Sequence, residues 1–142
     1  MIFRFIIVAI VFLWGGAVNA QVVVTETQPL SFGTFSFKDF NRTVVINIRN
    51  NGTVDPNGNV VIVDSPSRGE YSMTSDQFNT VYTVTTPTTV TLPGPGGDLL
   101  IDNFRVRPNN LVTDAAGSDD FRIAARLRSA GDGTVYNNAV SS

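Results

Sequence analysis

The chain has 142 residues, 42% of them hydrophobic, with no cysteine, no histidine and a formal charge of −2 from ten Lys+Arg against twelve Asp+Glu. The missing cysteine excludes a disulfide framework, a thiol nucleophile, iron–sulfur ligation and a cysteine lipid anchor, and the missing histidine excludes imidazole general bases, Ser-His-Asp triads and the usual zinc and copper sites. One lysine in a slightly acidic chain is not the clustered basic charge that nucleic-acid binding needs, so no nucleic-acid partner is expected.

The N-terminus reads as a secretory signal. Residues 1–4 hold one cation, Arg4, and residues 5–14 (FIIVAIVFLW) are an unbroken apolar run of ten. Small residues follow, with Val18 and Ala20 where signal peptidase reads, so cleavage is expected between Ala20 and Gln21. A membrane span needs about twenty apolar residues, and this run is half of that. No later segment approaches a span. The expected organisation is therefore a signal peptide over 1–20 and one exported domain over 21–142, with no membrane span after cleavage.

Beyond residue 20 the hydrophobic period is two. Residues 22–25 begin a Val/Thr strand. Residues 43–49 (TVVINIR) alternate Val44, Ile46 and Ile48 against polar neighbours, the pattern of a strand with one buried face. Residues 59–64 (NVVIVD) are more uniformly apolar, which predicts cover on both faces. Residues 69–74, 81–86 and 88–92 are rich in Thr, Val and Tyr, which suit a pleated sheet. In 99–107 (LLIDNFRVR) the apolar phase shifts from Leu99 and Ile101 to Phe104 and Val106, which predicts a bulge near Asp102 and Asn103. Residues 110–118 are the longest irregular stretch and a candidate for a short helical turn. Residues 121–128 (FRIAARLR) have helical propensity. Yet Phe121, Ile123, Ala125 and Leu127 alternate with Arg122, Ala124, Arg126 and Arg128, and only a strand puts those arginines on one face. Asn50-Asn51-Gly52, Asn57-Gly58, residues 66–69, residues 93–97 and Gly131-Asp132-Gly133 carry turn chemistry. Short strands with turns at roughly ten-residue spacing predict an all-β, antiparallel, immunoglobulin-like sandwich.

Several stretches then look familiar together. They are Thr27-Gln28-Pro29-Leu30-Ser31-Phe32-Gly33-Thr34-Phe35, Gly69-Glu70-Tyr71-Ser72, residues 88–92 (TTVTL), residues 100–104 (LIDNF), Phe121-Arg122-Ile123 and Gly133-Thr134-Val135-Tyr136. In order and spacing they resemble the bacterial secreted family called domain of unknown function 4402, over nearly the whole mature chain. The Leu-x-Phe-Gly-Thr element is also similar to the start of spore-coat-U-type and archaic chaperone–usher pilins. Those subunits are immunoglobulin-like sandwiches that lack a last strand and receive one from a neighbour. The resemblance implies a location in the periplasm or on the outer surface of a Gram-negative bacterium. It also implies strand exchange with a second copy or with a periplasmic chaperone.

The chain departs from that pattern in three places. It has no cysteine for the pilin disulfide, and Ala124-Ala125 stands where the second member of a Gly-rich pair is normal. Residues 137–142 (NNAVSS) do not supply the usual final strand of alternating Thr and Val, so the last strand is expected to be short or missing. A missing strand leaves an open edge that a partner strand can fill. Residues 21–27 (QVVVTET) are the candidate donor, through Val22, Val23, Val24 and Thr25. A naturally shorter sheet and a truncated product are the alternatives.

Candidate chemistry is sparse. Glu26 and Glu70 are the only glutamates, and neighbours such as Asp119 and Asp120 point to opposite faces of a strand, so no glycosidase-like carboxyl pair forms. Residues 55–59 offer oxygens at alternating positions but lack the Gly and Glu of an EF-hand loop. Asp114, Ser118, Asp119 and Asp120 are a second weak calcium candidate. Neither a catalytic nor a metal residue is assigned, and no cofactor is expected. Arg122, Arg126 and Arg128 are a possible cationic stripe, joined by Arg105 and Arg107 if their strands pair. The expected function is an exported structural or surface protein rather than an enzyme, with a secreted carbohydrate- or cell-wall-binding module as the alternative.

Overall fold

The computed structural model describes residues 3–6, 12–13, 21–39, 42–93 and 97–129, and every regular element among them is a strand. In chain order these are β1 (Phe3–Ile6), β2 (Phe12–Leu13), β3 (Val22–Gln28), β4 (Ser31–Phe37), β5 (Val45–Ile48), β6 (Val54–Pro56) and β7 (Val60–Asp64). They continue as β8 (Gly69–Ser75), β9 (Val81–Thr85), β10 (Thr89–Leu92), β11 (Leu99–Arg107), β12 (Asn110–Val112) and β13 (Ser118–Ser129). Each pairing is antiparallel, as the period-two pattern predicts.

The centre of the fold is β13. One of its edges carries β11, in register from Arg107↔Arg122 to Leu99↔Ser129. Its other edge is divided between β8, with Phe121↔Tyr71, and β5, with Leu127↔Ile46. β10, β6 and β3 extend this arrangement to a seven-stranded sheet. Tertiary pairing overrides the helical propensity of 121–128, because Phe121, Ile123, Ala125 and Leu127 are all almost fully buried while Arg122 stands exposed on the opposite face. The predicted bulge is present. Between Asp102↔Arg126 and Arg105↔Ala124, β11 advances one residue more than β13, and Asn103 takes φ +50°.

Two three-stranded sheets complete the sandwich, β1-β4-β7 and β12-β9-β2. In β4, Phe32 and Phe35 are both fully buried although three residues apart, which simple alternation forbids. Gly33 resolves this: it sits at φ +67°, and the register with β7 slips between Thr34↔Asp64 and Phe35↔Ile62. A Cβ on Gly33 would lie 2.1 Å from the Asp64 carbonyl oxygen, so the backbones meet there at a distance only glycine allows. Phe32 and Phe35 join Ile46, Met73, Ile101, Leu111 and the inner residues of β13 in one core cluster.

Two expectations are corrected. β7 is covered on one face only: Val60 is buried, but Val61 and Val63 are exposed, because β7 pairs with β4 at the surface. Residues 110–118 hold strand β12 and a turn rather than a helical turn. The Asp114 carboxylate accepts from the Ala116 and Ser118 backbone N–H groups at 2.8 and 2.9 Å, and backbone bonds from Asp114 to Ser118 and from Gly117 to Asp114 close the same turn. The turn at Asn57-Gly58 is present, closed by the Val60 N–H on the Asn57 carbonyl oxygen at 3.1 Å, and it carries the chain from β6, which pairs with β5, to β7, which pairs with β4. The Gly133–Tyr136 element (residues 133–136) and the expected short last strand lie outside the described residues, as does Ala20 at the expected cleavage point.

Candidate functional site on the arginine face and the β4 and β9 edges

Two regions have chemistry to offer. The first is a pair of strand edges. β4 pairs with β7 on one side and on the other with β1, through Phe3↔Phe35, Arg4↔Thr34 and Ile6↔Ser31. β9 pairs with β12 on one side and on the other with β2, through Phe12↔Thr85 and Leu13↔Val84. Thus in the full-length chain one stretch of the N-terminus pairs with both edges. Ile6 and Phe12 are six residues apart, so the two edges are within about 20 Å of each other along that stretch. Removal of residues 1–20 would take these β1 and β2 pairings away from both edges.

The candidate donor residues are not a free arm. Val22, Val23, Val24 and Thr25 lie in β3 and pair with β8 at Ser75, Thr74, Met73 and Ser72. Val22 and Val24 pack against the core while Val23 is exposed. β8 is the single partner of β3 among the described residues, which makes β3 an edge strand.

The second region is the outer face of β11 and β13. Alternation and the bulge together put Asp102, Arg105 and Arg107 of β11 on the same face as Arg122, Ala124, Arg126 and Arg128 of β13. Asp102, only 9% exposed, receives Arg126 in a two-pronged pair, Nε to Oδ1 at 2.8 Å and Nη2 to Oδ2 at 2.9 Å. Arg128 donates its Nε to Oδ2 at 2.6 Å. These bonds, Arg126 first, hold the Asp102 carboxyl below its ordinary range and raise Arg126 above its own. Arg105 donates from Nη2 to Asn47 Oδ1 and to the Ile48 carbonyl oxygen, both at 2.8 Å. Since β13 lies between β11 and β5, the Arg105 side chain crosses it at its register partner, Ala124, which is fully buried. A small residue at 124 is what this crossing requires.

The expected cationic stripe is thus brought together by the pairing of β11 with β13, and its anionic centre, Asp102, is the residue the sequence pattern missed. The signal was present in the same phase shift that predicted the bulge, because the shift fixes which side of β11 Asp102 occupies.

Four other acids have partners of their own. Asp55 pairs with Arg49 at 2.5 Å, and Glu70 with Arg68 at 2.8 Å. Asp119 accepts from the Val112 N–H at 2.8 Å, while Asp120 accepts from the Ser72 hydroxyl. Among the described residues no three acidic side chains converge as metal ligands. Tyr71 folds over Gly69, where a Cβ would lie 2.7 Å from the ring, and stacks on Phe121 at 5.1 Å. Burial, then the Glu26 carboxylate, pushes its hydroxyl up to about 12. The Gly-Glu-Tyr-Ser element is therefore a packing device.

These features define an all-β antiparallel sandwich with an arginine-lined outer face. The chain matches the family described as domain of unknown function (DUF4402) over residues 22–137, and it belongs to that family. The match takes in β3 to β13 and leaves out β1 and β2. No curated protein and no solved structure matches the chain.

Proposed function

We propose that the chain is the precursor of an exported structural or surface protein of the periplasm or outer surface of a Gram-negative bacterium. In this reading residues 1–20 are a signal peptide, and residues 21–142 form an immunoglobulin-like, pilin-like subunit completed by a strand from a second copy or a periplasmic chaperone. One observation carries it: the β4 and β9 edges each accept strand pairing from a stretch that the sequence marks for removal. Once that stretch is gone, two nearby edges are free to pair with another chain. The β3 edge strand, with Val22 to Thr25, is the segment of the mature chain best placed to exchange, since it would leave only β8.

The test is the oligomeric state of purified protein lacking residues 1–20. Oligomers should form, and a synthetic peptide of residues 3–13 should bind the β4 and β9 edges and suppress them. Removing residues 21–27 as well should abolish exchange through β3. Stable monomers that ignore the peptide would sink the proposal. A secreted carbohydrate- or cell-wall-binding module is the second reading, favoured by the arginine face.

A further inference from the structure

The outer face of β11 and β13 concentrates charge in a way the chain as a whole does not. Five of the nine arginines, 105, 107, 122, 126 and 128, stand there, in a chain whose formal charge is −2. Asp102 is the acid between them; Asp120 shares the face beside Arg122 and accepts from the Ser72 hydroxyl, and Glu70, the register partner of Arg122, is held by Arg68. The arginines are also partly preorganised. Asp102 fixes Arg126 and Arg128 by their Nε sides, and their side chains remain 39% and 33% exposed. Among the described residues Arg128 donates only from its Nε, and both Nη groups are left as donors there. A guanidinium fork of that kind matches the two oxygens of a carboxylate, sulfate or phosphate. Clamping it in advance lowers the entropy lost on binding.

The neighbours on this face are hydrogen-bonding or aliphatic rather than aromatic. Asn47, Arg126, Asp102 and Thr89 form one row across four strands, and Val45, Arg128, Leu100 and Thr91 the next. A single-stranded nucleic acid site needs aromatic platforms for its bases, and these rows contain none. Amide and hydroxyl groups beside clamped arginines suit a sugar polymer that carries acidic groups.

We propose that the outer face of β11 and β13 is a binding site for the oxyanion groups of an acidic polysaccharide. Arg126 and Arg128 are its primary contacts, Asp102 is their positioning residue, and Arg107 and Arg122 extend the site along the strands. It rests on the surface reading only for the choice of polymer, and it does not depend on strand exchange.

The experiment measures retention of the full-length protein on alginate, on dextran sulfate and on neutral dextran. The two polyanions arm the carboxylate and sulfate sources, and the tighter one names the group. Both, but not dextran, should retain the protein. Arg126→Ala with Arg128→Ala should weaken binding about 10-fold or more, and Arg128→Lys several-fold, because an ammonium cannot present the fork. Arg42→Ala removes an exposed cation away from this face and should leave binding within about 2-fold. Asp102→Asn decides the mechanism: it makes the face more positive, so diffuse attraction would strengthen, whereas loss of the clamp should weaken binding. A thermal melt of each variant separates misfolding from lost binding, and Arg128→Lys, at a part-exposed site, keeps the test informative if Asp102→Asn unfolds. No retention on either polyanion would overturn the proposal. So would equal losses in Arg42→Ala and Arg128→Ala, tighter binding by Asp102→Asn, or equal affinity per charge for inorganic sulfate and dextran sulfate. The oligomeric state of the same samples reports on strand exchange separately.

Discussion

β13 and β4 make an instructive pair. Both are central in their sheets, and both bury large side chains. β13 obtains all its edge partners, β11, β8 and β5, from residues 22–129, and its outer face is tied across by Arg105 and by the Asp102 clamp. β4 takes β7 as its one strand partner among the described residues of that part, and its second strand partner is β1. β9 repeats the situation with β12 and β2. One side of the sandwich therefore supplies its own hydrogen bonds, and the other depends on a stretch outside the family's extent. A core can be closed by side chains while its backbone edges are still open.

The largest effect should come from breaking the self-sufficient side. Phe121→Ala removes a fully buried ring stacked on Tyr71 in the first half of β13 and should cost about 3–5 kcal/mol in denaturant unfolding. Its effect should fall first on β8, where Tyr71 is its register partner. Gly33→Ala attacks β4 instead. Forcing a Cβ into a left-handed position against the Asp64 carbonyl should cost about 2–3 kcal/mol and disturb the β4–β7 pairing first, read as faster amide exchange there than in β13.

Asp102→Asn should cost about 1–3 kcal/mol, because the arginines it pairs are part-exposed and partly solvated. The sign with pH follows from its depressed folded-state pKa. Its contribution is full above the ordinary carboxylate value of about 4 and is lost as the pH falls through the lower folded value. Wild type should therefore lose stability on acidification more steeply than Asp102→Asn, in melts taken below pH 4 or so. The smallest effect belongs to the exposed face of β7: Val63→Thr should change stability by less than about 0.5 kcal/mol, since Val63 is 56% exposed.

Much of this was legible in particular residues. The alternation of 121–128 named the inner and outer faces of β13 against its own helical propensity. The phase slip at Asp102 and Asn103 located the bulge. The uniform apolarity of 59–64 was misleading, because a run of valines does not say how many of its faces a neighbour will cover. The Asp114 turn shows another limit. A single aspartate that caps its own backbone leaves no periodic trace, so 110–118 read only as irregular. For the candidate site, the arginines were visible, but Asp102 as their shared partner was not.

The sequence by itself determined the class: absent Cys and His, period-two patterning and turn residues leave an antiparallel sheet protein held by packing and backbone pairing. Alternation is a local property, fixed by strand geometry and readable from one chain segment at a time. Which strands become neighbours is not local. Only the tertiary structure decided that β11 lies beside β13, which turns scattered arginines into one clamped face. It also decided that the β4 and β9 edges take β1 and β2 as their second strand partners. Those outcomes depend on long-range register, set where distant segments bury a common core, and no single segment encodes it.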